Sequence, residues 1–160
     1  MRRGAPAILL SIVVLAGCGG ARDDPYASLT QADREAVAAA GDQANAISDR
    51  NGAFISAANE QRLPRARREL EAVRREIAKL RAETASLRSS GLRSGLVPFV
   101  DAWRDYARAA DRYLTYYEGA ISQDMPKERR LRQGIEDAAQ RVALDERSFR
   151  ETVLRTVSGS

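Results

Sequence analysis

Histidine is absent from this chain of 160 residues, and cysteine occurs once, at Cys18. Without histidine the chain lacks the one side chain whose ordinary pKa lies near neutrality, and it lacks the commonest metal ligand. The Glu-x-x-His pattern of carboxylate-bridged metal pairs in helical bundles goes with it, as does histidine-ligated haem. One cysteine permits no disulfide within the chain. There is no Gly-rich phosphate loop and no G-x-S-x-G elbow. Asp and Glu are the familiar catalytic groups left. No catalytic residue, metal or cofactor is therefore assigned, and the expected protein is not an enzyme.

What the chain does have begins at its amino terminus. Arg2 and Arg3 precede an apolar run from Ala5 through Ala16, broken only by Pro6 and Ser11 and followed by Gly17 and Cys18. This is the layout of a secretory signal peptide. The run falls short of the ~20 apolar residues that span a bilayer as a helix. Small residues at positions 16 and 17 suit close approach of a peptidase.

The segment Leu15-Ala16-Gly17-Cys18 resembles the lipobox of bacterial lipoproteins. The resemblance covers residues 1–18 only. It implies a diacylglycerol on the Cys18 sulfur, cleavage just before Cys18, and an acyl chain such as palmitate on the new amino terminus. Two or three acyl chains, at ~0.8 kcal/mol per buried methylene, hold a protein on a membrane where one is marginal. By the same resemblance, Gly19 is not the aspartate that retains such proteins in an inner membrane. The expected location is exported and lipid-anchored, on the periplasmic face of the outer membrane where the host has two.

Removal of residues 1–17 takes away Arg2 and Arg3, leaving 24 basic and 22 acidic side chains in a chain long enough for one domain. Residues 18–28 form the lipidated tether. From Gly19 to Ser28, GGARDDPYAS is small, polar and interrupted by Pro25. Ten such residues have a root-mean-square reach of ~18 Å.

Residues 29–157 carry four apolar stripes spaced alternately three and four, the period of a helix with one buried face. Thr30 stands three residues before Asp33, so its hydroxyl suits the start of the first helix. Val37, Ala40, Ala44, Ile47, Asn51, Phe54 and Ala58 follow in phase. The stripe crosses Asn51-Gly52, elsewhere a turn signal, so one helix is expected to about Gln61. Pro64 fits a first helical turn. Ala66, Leu70, Val73, Ile77, Leu80, Thr84 and Leu87 continue the second helix, with Gly91 as its expected left-handed cap. Leu96, Val100, Trp103, Ala107, Ala110, Leu114, Tyr117 and Ile121 form the third, widened by Phe99, Tyr106 and Tyr113. Asp124 and Pro126 punctuate the start of the fourth: Leu131, Ile135, Ala138, Val142, Asp145, Phe149 and Val153.

Four amphipathic segments with short connections predict an all-α fold, an antiparallel up-down four-helix bundle ~40 to 50 Å long. A long helical hairpin that dimerises would use the same pattern. In the bundle, the helix starts near Pro64 and Pro126 meet at the end far from the lipid. They bring together Arg62, Arg65, Arg67, Arg68, Lys127, Arg129, Arg130 and Arg132. Cations at helix amino termini oppose the helix dipole at a few tenths of a kcal/mol each, a cost a purely structural sequence can avoid. The tip is thus a candidate site for an anionic partner: an envelope protein, a cell-wall polymer or a facing membrane. The competing reading is a solvated arginine-rich surface, neutralised by Glu60, Glu69, Glu118, Asp124 and Glu128.

The run WRDYARAADRYLTYY, Trp103 to Tyr117, interleaves aromatics with arginine as some nucleic-acid binders do. Its seam positions favour core packing, with Tyr116 alone pointing out, and no nucleic-acid partner is expected. Asn51 and Asp145 interrupt their stripes and either fix register or rotate to an edge. Counting along the helices places Asn51 level with Tyr113 and Asp145 level with Tyr106. The functional expectation is a membrane-anchored, non-enzymatic binding or structural module. The alternatives are a carrier, marked by a cavity along the alanine face of the first helix, and a carboxylate enzyme, marked by two inward carboxylates in one pocket.

Overall fold

The computed structural model describes residues 29–119 and 124–158. The expected signal peptide, Cys18, the expected tether to Ser28 and Ile121 of the third stripe lie outside these residues. Four helices follow in order: α1 (Gln31–Asn59), α2 (Leu63–Ser86), α3 (Ser90–Gly119) and α4 (Met125–Ser158). At 1.5 Å per residue they are ~36 to 51 Å long.

Local chemistry sets each boundary. The Thr30 hydroxyl accepts the Asp33 amide at 3.1 Å and caps α1. The helix runs unbroken through Asn51-Gly52. Its end is a Schellman turn, with the Arg62 amide donating to the Ala57 carbonyl and the Gln61 amide to that of Ala58. Gln61 takes the left-handed position at φ 56°, where glycine is the usual occupant. Pro64 lies in the first turn of α2 as its missing N–H allows.

The junction of α2 and α3 corrects one expectation. Gly91 is not a left-handed cap: α2 ends at Ser86, and Ser90 and Gly91 open α3. The turn is held from outside instead. Asp33 Oδ1 accepts the amides of Arg88 at 2.6 Å and Ser89 at 3.3 Å, while the Ser89 hydroxyl caps α3 by accepting the Leu92 amide. Pro98 sits inside α3 on an exposed face. It deprives the Ser94 carbonyl of its helical donor, and solvent exposure makes that tolerable. At α4, the Asp124 carboxylate accepts the Lys127 amide and Pro126 occupies the first turn.

Each helix packs on the next, and α4 closes the ring against α1 along the narrowest seam. Ion pairs show the antiparallel order: Arg50 with Glu69 across α1 and α2, Arg74 with Asp111 across α2 and α3, and Arg141 with Asp105 across α3 and α4. The bundle closes within one chain, so the dimerising hairpin is not what is found.

The stripes become the core. All seven members of the second stripe are buried, from Ala66 on α2 to Leu87 just past its end, as are Leu96, Val100, Trp103, Ala107, Ala110 and Leu114 on α3. Phe99 stacks on Phe149 of α4 with centroids 4.4 Å apart, and Trp103 meets Phe99 and Tyr106 edge-on. Trp103 and Tyr106 are thus packing residues.

The Asp33 bonds also correct the register. They place Arg88 and Ser89 level with Asp33, so counting upward on α1 and α3 brings Asn51 level with Tyr106, not Tyr113. Asn51 faces the Tyr106 hydroxyl, whose pKa burial pushes up to about 12 against the opposing effect of the Asn51 hydrogen bond. Asn51 Oδ1 is buried without a hydrogen-bond partner. Asp145 is half-buried at an edge of α4. The Phe99–Phe149 and Asp105–Arg141 contacts place it level with Ala102 and Trp103, below Tyr106.

Candidate anion-binding tip

The start of α2, the end of α3 and the start of α4 come together at one end of the bundle, and Leu29 lies at the other. Arg67 ties α2 to α3. Its guanidinium donates to Glu118 at 2.6 and 3.3 Å, to Thr115 at 3.2 Å and to Asp111. The Glu118 bonds raise its pKa further against the cost of desolvation, with the charges of Glu118 and Asp111 adding to the effect.

Tyr117 ties α3 to α4. Its hydroxyl donates to the buried Glu128 carboxylate at 2.5 Å, and Arg132 reaches the same oxygen at 2.8 Å. The hydrogen bond to Glu128 raises the Tyr117 pKa, with Tyr113 and desolvation acting in the same direction and Arg132 against them. Tyr117 and Tyr113 in turn raise that of Arg132. Tyr116 does not point free into solvent as expected. Its hydroxyl accepts the Asp124 amide at 2.8 Å and donates to the Asp124 carbonyl at 3.1 Å, and its ring lies 5.4 Å from Lys127 Nζ.

The eight cations proposed from sequence therefore divide in two. Arg62 pairs with Glu60, Arg67 with Asp111 and Glu118, Arg132 with Glu128, and Lys127 sits over Tyr116. Arg65, Arg68, Arg129 and Arg130 are exposed, and no carboxylate pairs with them among the described residues. Arg130 bonds only the Pro126 carbonyl, at 3.4 Å. Of the expected neutralising carboxylates, Glu69 serves Arg50 of α1 and Asp124 serves the helix cap.

Among the described residues the buried carboxylates are Asp33 and Glu128, at opposite ends of the bundle, while Asp145 is half-buried at an edge. Asp33 is occupied by backbone amides and Glu128 by Tyr117 and Arg132. That arrangement provides no paired acid and base. Among the described residues, no group of three or more Cys, Asp and Glu is placed to hold a metal, and no helix is long and apolar enough to cross a membrane.

One feature escaped sequence reasoning. A cleft of about 380 Å³ runs between α2 and α3, with Ile77, Ala78 and Ala107 along its floor. Arg74 and Arg81 edge it on one side, Arg104 and Arg108 on the other. It lies away from the alanine face of α1, where the carrier reading placed a cavity. Its signal was arginine at i and i+7 on one helix and at i and i+4 on the next. The register that sets them face to face is a tertiary property.

No family model, curated protein or solved structure matches this chain.

Proposed function

We propose that this chain is a lipid-anchored envelope protein of bacterial lipoprotein type, a non-enzymatic helical module that engages an anionic partner through Arg65, Arg68, Arg129 and Arg130. The observation that carries the reading is the division of the tip: Arg62, Arg67 and Arg132 pair with carboxylates and Lys127 lies over Tyr116, while Arg65, Arg68, Arg129 and Arg130 have neither kind of partner among the described residues. Four guanidinium groups on two helix starts suit an acidic protein face or an anionic cell-wall polymer, since arginine binds carboxylate and phosphate through two donors at once. The lipobox supports the anchor, and α1 would carry the tip ~40 Å from the tether end.

The test uses the native lipidated protein in its own envelope. Reversal of Arg65, Arg68, Arg129 and Arg130 to glutamate should abolish crosslinking to the partner while the helical circular dichroism stays intact. Reversal of Arg147 and Arg155, at the other end, should leave it unchanged. An unaltered crosslinking pattern in the tip variant would sink the proposal. The anchor has its own measurement: the intact mass of the mature protein should begin at Cys18 and include diacylglycerol, and an unmodified thiol there rejects it.

A further inference from the structure

The cleft between α2 and α3 is polarised along its length. At the end nearer the tip, Arg74 is bound by Glu71 and Asp111, and Arg108 by Asp105. Toward the other end stands Arg81, which has no carboxylate partner among the described residues. The Arg74–Asp111 and Arg67–Glu118 pairs give the register of α2 on α3, and by that register Arg81 faces Arg104. Arg104 has one carboxylate, Asp101, at 3.0 Å. The floor between these ends is apolar: Ile77 and Ala107 are buried and Ala78 is open to the cleft. One end of an apolar trough thus carries uncompensated positive charge and the other does not.

We propose that this cleft binds a single-chain amphiphilic anion, with the head group between Arg81 and Arg104 and the acyl chain along Ala78, Ile77 and Ala107 toward Arg74. The volume lies in the range of small-ligand sites. Arginine suits both components, since its methylene stem covers apolar surface and its guanidinium holds a carboxylate or phosphate with two parallel bonds. A neutral chain would leave Arg81 as it is. A cationic one would meet repulsion from both sides of the cleft. The site is distinct from the tip, so it stands or falls independently of the proposed function.

The experiment is titration calorimetry of the whole chain with dodecanoate and dodecyl phosphate below their micelle-forming concentrations. Dodecyltrimethylammonium serves as the cationic control. One-to-one saturable binding of at least one anion is expected, with none of the cation. Dodecanoate alone would identify a carboxylate head group, and dodecyl phosphate alone a phosphate. Shortening the chain should weaken binding by up to about fourfold per methylene. Ala78→Trp, at an exposed position, should fill the trough and remove saturable binding with circular dichroism unchanged. Arg81→Gln should weaken it about tenfold, the worth of one charge-assisted bond. The glutamate variant of the tip should bind as the original does. Absence of saturable binding to the original chain, or wild-type binding by Ala78→Trp, overturns the proposal.

Discussion

The residue that organises this bundle is Asp33, a carboxylate buried at 3 % exposure with no cationic partner among the described residues. Desolvation works to raise its pKa, but hydrogen bonds from the Thr30 hydroxyl and from the Arg88 and Ser89 amides outweigh it, and the net shift is downward from 3.8. One side chain thereby closes the first turn of its own helix and pins the turn between the next two. Its ionised form contributes stability that is fully present above the ordinary aspartate value and is lost as pH falls through the lower value in the folded state. Asp33→Asn keeps one acceptor and loses the charge, so it should cost ~1 to 2 kcal/mol at pH 7. The difference from the parent chain should shrink below pH 3.8 as Asp33 itself becomes neutral. Urea unfolding at a series of pH values measures both, and a pH-independent difference would mean that the charge contributes nothing.

At the scale of the helix, glycine and the left-handed turn are separated in a way that explains what was legible. The three-four spacing identified six of the seven buried positions of α2 and, with Phe99 and Tyr106 beside it, eight of the eleven on α3, because a helix that must bury one face leaves its period in the sequence. It also overrode the turn signal at Asn51-Gly52 correctly. What it could not supply was the chemistry of the ends. Gly52 is in the middle of α1 with nothing within 4 Å of an added Cβ, while the left-handed position nine residues on belongs to Gln61. Gly91, the natural candidate for a cap, opens a helix instead, since a buried carboxylate from α1 already holds that turn. Such a contact joins residues 55 positions apart and leaves no local pattern. The same lack of cross-helix register hid the Arg81–Arg104 cleft and misplaced Asn51 by two turns. Two substitutions follow from the mismatch. Gly52→Ala should stabilise the fold by ~0.5 to 1 kcal/mol through lower entropy of the unfolded chain. Gln61→Gly should add ~1 kcal/mol by relieving the left-handed backbone. The two positions lie far enough apart for their rises in melting temperature to add, and a fall in either would contradict the helix or the Schellman turn at that site.

In the whole molecule the four helices are not held equally. On α2 and α3 a buried apolar residue recurs at nearly every turn, whereas the 34 residues of α4 bury only Ala138, Val142 and Phe149 among their apolar side chains. Leu144 and Leu154 of α4 stand 74 % and 61 % exposed. Against α1, α4 has the thinnest seam of the bundle. Against α3 its seam is broader, with polar bonds at its start, Tyr117 to Glu128 and Tyr116 to Asp124, the Arg141–Asp105 pair midway and the Phe99–Phe149 stack beyond it. Opening free energy follows the buried apolar contact that must be given up, so α4 should detach before the α1–α3 core unfolds. Native-state hydrogen exchange should show amides of α4 between Arg132 and Arg147 opening at ~2 kcal/mol or more below those of α2 and α3. Phe149→Ala removes the principal apolar hold and should lower overall stability by ~3 kcal/mol. Its effect on exchange should be a loss of protection in α4 larger than that in α2. Because Arg129 and Arg130 ride on α4 while Arg65 and Arg68 ride on α2, a detached α4 would split the exposed arginines of the tip. A partner that bridges both helices should therefore slow α4 exchange when it binds, and uniform exchange across all four helices would place the bundle in a single cooperative unit instead.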